Sequence, residues 1–189
     1  TDEGSTGIVM ENNLVYKCKN AGFHQHYGKE NMIKNNIFAF NDESQLQLTR
    51  PEPHKSLIFT HNIVYFDKGV LYHSTRKDSW LKAITEIDFN CYWDTRTADP
   101  DFHGMSFREW QKLGKDAHSI VADPLFQDPQ NGDFRFRKLK MPPKIGFAPF
   151  DYTKAGVYGD ERWKSLARLN PEFLEEFDEA VGRSMCKDK

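Results

Sequence analysis

Two histidines separated by one residue, His24 and His26, have the side-chain type and spacing that most directly suggest chemistry. Imidazole rings take and give protons near neutral pH, so such a pair can bind a polar ligand, orient a carboxylate or hold a metal ion. The carboxylates that could act with them are Asp2, Glu3 and Glu43. Two carboxyl groups flanking a glycosidic bond are the usual requirement for its hydrolysis.

A degenerate repeat runs through the first half of the chain and would position these residues. Each copy has an asparagine followed by apolar or aromatic residues, and the anchoring positions are Asn13, Asn36, Asn62 and Asn90. Successive anchors are 23, 26 and 28 residues apart. A period slightly above about 20 residues that lengthens irregularly is typical of a solenoid whose turns contain insertions.

Short runs of β-branched and aromatic residues, bounded by Gly, Asn, Asp or Lys, occur twice in each repeat and predict β-strands. Equivalent strands of successive coils would stack into parallel sheets about 4.8 Å apart. The anchoring asparagines would then stack at one turn and form a ladder. We therefore expect an all-β fold, a right-handed parallel β-helix. A β-sandwich is the alternative, but hairpin signals between adjacent runs are missing.

The common offset from the anchors predicts one outward-facing column of polar side chains. His24, Gln47 and His73 each lie 11 residues after their anchors, whereas Phe23 and Leu46 lie 10 after theirs. Because alternate residues of a strand face opposite sides, the phenylalanine and leucine should point inward and the polar residues outward. Polar groups that converge on one sheet face form a plausible cleft for a sugar.

A second column and the candidate acids extend this face. His26 and Thr49 each lie 13 residues after their anchors, and Arg50 lies at the edge. One repeat of about 22 residues before His24 lies Asp2, beside Glu3. If Asp42 or Glu43 supplies the second carboxyl group, two coils separate the acids by about 9.6 Å, near the upper end of the range for inverting glycosidases.

The pattern changes after residue 93, and the chain divides into three predicted parts. Residues 1–93 form the coils, 94–158 a final coil with an irregular extension, and 159–189 a helical cap. Ser106, Glu109 and Gly114 predict a short helix with a capping box and a glycine end. These signals favour a structural role over a functional one for residues 94–189.

The tail from residue 159 carries the signals of one longer helix. Asn170 can cap it, Pro171 suits its first turn and Gly182 should end it. Phe173 and Phe177 fall on one apolar stripe, which we expect to be buried over the open end of the solenoid.

The composition excludes several classes of protein. The chain has 189 residues, 38% hydrophobic and 29% charged, with a net charge of −2. We therefore expect a soluble globular protein without a large nucleic-acid surface and without a membrane span. The three cysteines Cys18, Cys91 and Cys186 are far apart, which favours buried free thiols over disulfides or a CxxC metal site.

Four segments carry a family resemblance: TDEGSTGI (1–8), NAGFHQHYGKEN (20–31), NNIFAF (35–40) and SIVADPLFQDPQNGDFRFR (119–137). With them, the chain resembles the C-terminal portion of bacterial right-handed parallel β-helix repeat proteins of the pectate-lyase-like superfamily. The resemblance covers most of residues 1–158 and implies the fold more strongly than the reaction. It implies a secreted, periplasmic or cell-surface protein that acts on glycans, with further coils of the same protein N-terminal to Thr1.

Three functions remain open at this point. The leading prediction is a glycoside hydrolase acting on a polysaccharide or oligosaccharide without a cofactor. Its catalytic residues would be Asp2, Glu3, Glu43 and His24, and its substrate-binding residues would be His26, Gln47, Thr49, Arg50 and His73. The alternatives are a non-catalytic glycan-binding solenoid, in which these residues form a polar face, and a polysaccharide lyase, which would add a Ca²⁺ site.

Overall fold

Short strands of successive coils make up most of this chain. The computed structural model describes residues 1–75, 78–168 and 170–185 and divides into two compact units, Thr1–Phe150 and Asp151–Lys189. The strands are β1 (Ser5–Thr6), β2 (Val9–Glu11), β3 (Leu14–Tyr16), β4 (Ala21–Gln25), β5 (Gly28–Lys29), β6 (Asn31–Lys34), β7 (Ile37–Ala39), β8 (Ser44–Leu48), β9 (Lys55–Thr60), β10 (Ile63–Phe66), β11 (Val70–His73), β12 (Ile84–Asp88), β13 (Cys91–Asp94), β14 (Ile120–Val121), β15 (Phe126–Asp128) and β16 (Asp133–Phe136). The α-helices are α1 (Ser79–Lys82), α2 (Phe107–Lys112), α3 (Glu161–Leu166) and α4 (Pro171–Met185), with 3₁₀ turns at Pro129–Asn131, Pro142–Ile145 and Tyr152–Lys154.

Three parallel sheets form the walls of a solenoid in the first unit. Sheet 1 has the order β2-β6-β9-β12, sheet 2 the order β3-β7-β10-β13-β14, and sheet 3 the order β4-β8-β11. All their strand pairs are parallel, and a further parallel pair joins β1 to β5. The predicted parallel β-helix is confirmed, and the sandwich alternative is wrong for this region.

The anchoring asparagines form the predicted ladder beside sheet 2. The side-chain oxygen of Asn36 accepts the backbone N–H of Asn13 at 2.9 Å, and that of Asn62 accepts the N–H of Asn36 at 2.9 Å. The side-chain oxygen of Asn90 likewise accepts the backbone N–H of Asn62. The backbone N–H of Asn90 donates to the hydroxyl of Ser119 at 2.7 Å, so a serine takes the place of a further asparagine in the ladder. Each coil therefore offers its side-chain acceptor to the coil before it.

The residue before each ladder asparagine has the left-handed backbone. Asn12, Asn35, His61 and Phe89 have φ values of 58°, 54°, 56° and 55°. The ladder asparagines are not among the residues with positive φ. The left-handed turn therefore lies one residue before each ladder asparagine.

Aromatic side chains fill the solenoid interior. Phe23, Phe38 and Phe59 are buried, and the rings of Phe38 and Phe59 stack at 5.8 Å between centroids. Sheet 3 ends at β11, and the interior beyond it is covered by Trp80 of α1 and Trp110 of α2, both buried against Tyr72. This end of the core is therefore closed by indole rings from within the first unit.

The predicted helices are present, with one correction. α2 starts at the capping box of Ser106 and Glu109, and the N–H of Glu172 in α4 donates to the side chain of Asn170. α4 continues past Gly182 to Met185, so the predicted end at this glycine is wrong. Among the described residues, no helix is long and apolar enough to cross a membrane.

The tail phenylalanines belong to the second unit. Phe173 and Phe177 are each 63% exposed, and their burial over the open end of the solenoid stays a prediction. A helix stripe predicts an apolar face but does not say what covers it. The role of residues 159–189 as a cap stays a prediction.

The cysteines agree in part with the expectation of buried thiols. Cys91 is a free, buried thiol, and burial raises its pKa to about 12, so it is unreactive as a nucleophile. Cys18 is free and half-buried, and burial raises its pKa as well. Cys186 lies outside the described residues.

Replacing Asn36 with alanine tests the ladder. The side-chain amide of Asn36 is fully buried and donates to Met10 O, Lys34 O and Asn62 Oδ1. We expect a loss of about 1–3 kcal/mol in the free energy of unfolding, because buried groups of two coils lose their partners. Denaturant unfolding measures it, with the exposed Asn131→Ala as control. Equal midpoints for the two variants would contradict the ladder's role.

Candidate functional site

The predicted outward column lies on sheet 3. His24 pairs with Gln47, and Gln47 pairs with His73, across the three parallel strands. Phe23, one position earlier, pairs with Leu46, and both are buried. His24 is half-buried, Gln47 is 8% exposed and His73 is exposed. The structure therefore brings these three polar side chains into one row, as the common offset predicted.

The second column is joined to the first by the hydroxyl of Thr49. Thr49 Oγ1 lies 3.0 Å from His24 Nε2 and 3.1 Å from His26 Nδ1. The two rings meet edge to face, with centroids 5.8 Å apart. Thr49 itself is 5% exposed. The threonine that we expected to contact a substrate therefore supports the two imidazoles from below.

The first three residues run beside β4, but two positions away from the predicted register. The amino group of Thr1 donates to His24 O at 2.8 Å, and the N–H of His26 donates to Thr1 O at 3.1 Å. This pattern places Thr1 opposite Gln25, 24 residues further on. Asp2 therefore lies opposite His26 instead of His24, because the first coil is longer than the assumed repeat.

Both N-terminal acids lie close to the histidines. Glu3 Oε1 is 3.9 Å from His26 Nε2. Asp2 and His24 line the same cavity of about 500 Å³, which also has apolar walls from Ile8, Met10 and Phe23. The predicted association of Asp2 and Glu3 with the histidine pair is thus present in the structure.

The second predicted acid is not part of this cluster. Glu43 precedes the first residue of β8 and Thr49 follows the last, so more than the length of β8, about 13 Å, separates them along the strand. Glu43 instead accepts a hydrogen bond from Asn20 at 2.6 Å, and Asp42 pairs with Lys68. The expected separation of about 9.6 Å counted only the distance across strands. Glu43 therefore lies apart from the histidine cluster, and its pairing with Asp2 or Glu3 as catalytic acids stays a prediction.

An aromatic ring that we did not single out from the sequence lies at the edge of the cluster. Tyr27 packs against His26 with centroids 5.0 Å apart, and the guanidinium carbon of Arg50 lies 4.9 Å above the Tyr27 ring. Arg50 is exposed and makes no ion pair with any residue in the described ranges. Tyr27 directly follows His24, Gln25 and His26 in the sequence, and this position was the signal that could have identified it.

The environment of His24 favours its neutral form. Burial lowers the pKa of His24, and the neighbouring His26, the N-terminal amino group and His73 lower it further, while Asp2 raises it. The net shift is downward. At neutral pH this ring is therefore uncharged and serves as a hydrogen-bonding group.

Metal binding by the histidine pair has no support from the described geometry. In the part of the chain that the structure describes, no group of three or more His, Cys, Asp or Glu side chains is arranged to hold a metal ion. The cluster consists of two imidazoles, one hydroxyl, two nearby carboxylates and a guanidinium over a phenol ring. This is a set of groups that forms hydrogen bonds with a polar ligand.

Fold and site together define a parallel β-solenoid with a polar histidine cluster on one sheet face. In comparisons with protein-family models, curated proteins and solved structures, none matched this chain. The parallel β-helix is established by the structure, and the resemblance to the pectate-lyase-like superfamily stays a prediction.

The His24 environment predicts how stability depends on pH. Because the pKa of His24 is lower in the folded state than in the unfolded state, the unfolded state binds its proton more readily. Stability should therefore fall as the pH drops below about 6.5, the ordinary value for histidine. His24→Gln should lose less stability than the unmodified protein between pH 7.5 and pH 5, measured by urea unfolding. Equal losses would show that His24 does not contribute.

Proposed function

We propose that this protein binds glycans through the outward face of sheet 3. The observation that carries the proposal is the row His24, Gln47 and His73 on adjacent strands, continued by His26 and its neighbours. Strands of a parallel sheet are about 4.8 Å apart, so the row offers polar groups at regular intervals along the solenoid axis. An extended saccharide chain lying along this axis would meet the half-buried His24 and the exposed His73, with Gln47, which is 8% exposed, between them.

The chemistry of the face suits carbohydrate hydroxyl groups. Imidazoles and a primary amide both donate and accept hydrogen bonds, as sugar hydroxyls do. Tyr27 adds an apolar ring surface at the edge, and Arg50 adds an uncommitted cation. Binding sites typically combine polar groups with an apolar surface of this kind.

Glycan binding without turnover is favoured over hydrolysis by the position of the carboxylates. Glu43 lies beyond the opposite end of β8 from Thr49 and accepts a hydrogen bond from Asn20. The acids near the histidines are Asp2 and Glu3, which are adjacent in the sequence. This arrangement supports binding better than it supports the two flanking carboxyl groups that hydrolysis usually requires.

Titration calorimetry with five hexasaccharides tests the proposal: cellohexaose, xylohexaose, mannohexaose, laminarihexaose and hexagalacturonate. We expect at least one to bind, and His73→Ala to weaken that binding about tenfold, the loss of roughly one hydrogen bond. His118→Ala is the matched control, because His118 is exposed and paired with Asp88 away from sheet 3. Absence of binding in the whole panel, or equal losses in the two variants, would reject the proposal.

Glycoside hydrolysis is the second candidate, favoured by the contact between Glu3 and His26. A carboxylate beside an imidazole is an arrangement that supports proton transfer. If the face is catalytic, Glu3→Gln and Asp2→Asn should lower kcat on the bound glycan by several orders of magnitude while leaving the melting temperature unchanged. Product release is measured by chromatography of the same hexasaccharides. Unsaturated products would instead indicate a lyase, for which a calcium requirement remains part of the prediction.

A further coil packed on the first one belongs to the same proposal. Ile8 and Val9, at the start of the first coil, are 45% and 56% exposed. Asn36 and Asn62 each accept an N–H from the coil before them, whereas the side-chain oxygen of Asn13 accepts no bond within the described residues. A preceding coil of the same kind would supply that donor. A secreted, periplasmic or cell-surface location is likewise proposed, on the resemblance alone.

A further inference from the structure

The hydroxyl of Thr49 touches three groups, and its chemistry fixes how they bond. Besides the two ring nitrogens at 3.0 and 3.1 Å, Oγ1 lies 3.2 Å from the carbonyl oxygen of His26. A hydroxyl has one hydrogen to donate and two lone pairs to accept with. The carbonyl can only accept, so we assign the hydroxyl hydrogen to it. With this assignment both lone pairs of the hydroxyl accept, and both rings donate.

This assignment sets the tautomers of the neutral rings. His24 carries its hydrogen on Nε2, and His26 carries its hydrogen on Nδ1. The other nitrogen of His26, Nε2, is then a bare acceptor, and it is the nitrogen that lies 3.9 Å from the Glu3 carboxylate. Two acceptors cannot bond each other, so each needs a donor from elsewhere.

We propose that Thr49 is a positioning residue that holds His26 as its Nδ1–H tautomer, so that His26 Nε2 and the Glu3 carboxylate together bind a vicinal diol of a sugar. The inference rests on the proposed glycan-binding function and names the part of the ligand that the cluster takes. Hydroxyls on neighbouring ring carbons donate one hydrogen each, toward acceptors that lie side by side. His24, on the far side of Thr49, supplies the remaining contact of the row.

The tautomer is read directly from the ¹⁵N–¹H spectrum of imidazole-labelled protein at pH 7.5. We expect the Nδ1–H pattern for His26 and the Nε2–H pattern for His24. Thr49→Ser keeps the hydroxyl and should keep both patterns, whereas Thr49→Val should shift His26 toward Nε2–H. An Nε2–H pattern for His26 in the unmodified protein overturns the inference, whether or not the variants fold.

The diol is tested with the same hexasaccharides. Internal residues of the β-1,4-linked cello-, xylo- and manno-hexaoses keep free hydroxyls at C2 and C3, whereas internal residues of β-1,3-linked laminarihexaose have no neighbouring pair. We expect laminarihexaose to bind at least tenfold more weakly than the best β-1,4 ligand, and Thr49→Val but not Thr49→Ser to remove the difference. Equal affinity for laminarihexaose overturns the diol assignment and leaves glycan binding standing. No binding in the panel rejects both, while the spectrum still decides the tautomer.

Discussion

One buried asparagine amide per coil holds this structure in register. The amide oxygens of Asn36, Asn62 and Asn90 each accept a backbone N–H from the preceding coil. The nitrogens of Asn36 and Asn62 donate to carbonyls as well as to the next asparagine. A buried amide without partners costs about 1–3 kcal/mol, so slipping one coil by one residue would be penalised at every rung. The coils can therefore vary in length while sheets 1–3 stay aligned. The row on sheet 3 exists because this alignment is kept.

The ladder also explains the strain beside it. A left-handed backbone costs about 1–2 kcal/mol for a residue with a side chain. Two of the residues with this backbone, His61 and Phe89, stack on each other on the outside of the solenoid, with ring centroids 5.3 Å apart. The other side of the Phe89 ring stacks on His118, with centroids 4.8 Å apart. His118 is fixed further by Asp88 at 2.7 Å. Stacking outside and hydrogen bonding inside together offset the strain of the turn.

The candidate site depends on contacts between coils. Thr49 and His24 are 25 residues apart, and His26 meets Glu3 from the coil before. A buried hydroxyl with three polar neighbours has few ways to be satisfied, which is why it can select the tautomers of two rings. Thr49, which follows β8, thus holds the His24 and His26 rings from the protein side. The ring nitrogens that do not contact Thr49 remain for a ligand.

The sequence by itself determined the repeat, the parallel sheets and the inward and outward alternation that placed His24, Gln47 and His73 in one row. These follow from local rules, since side chains alternate along a strand and equivalent strands stack. Only the tertiary structure decided the position of Asp2, the separation of Glu43 and the covering of the core by Trp80 and Trp110. The spacing of a repeat gives the number of residues in each coil. It does not give how many of them lie in the turns or where a residue next to a strand is placed along the sheet. It also does not give which surface a helix packs against. The three contacts of Thr49 could not be read from the sequence for the same reason, because they depend on side chains of neighbouring coils meeting in space.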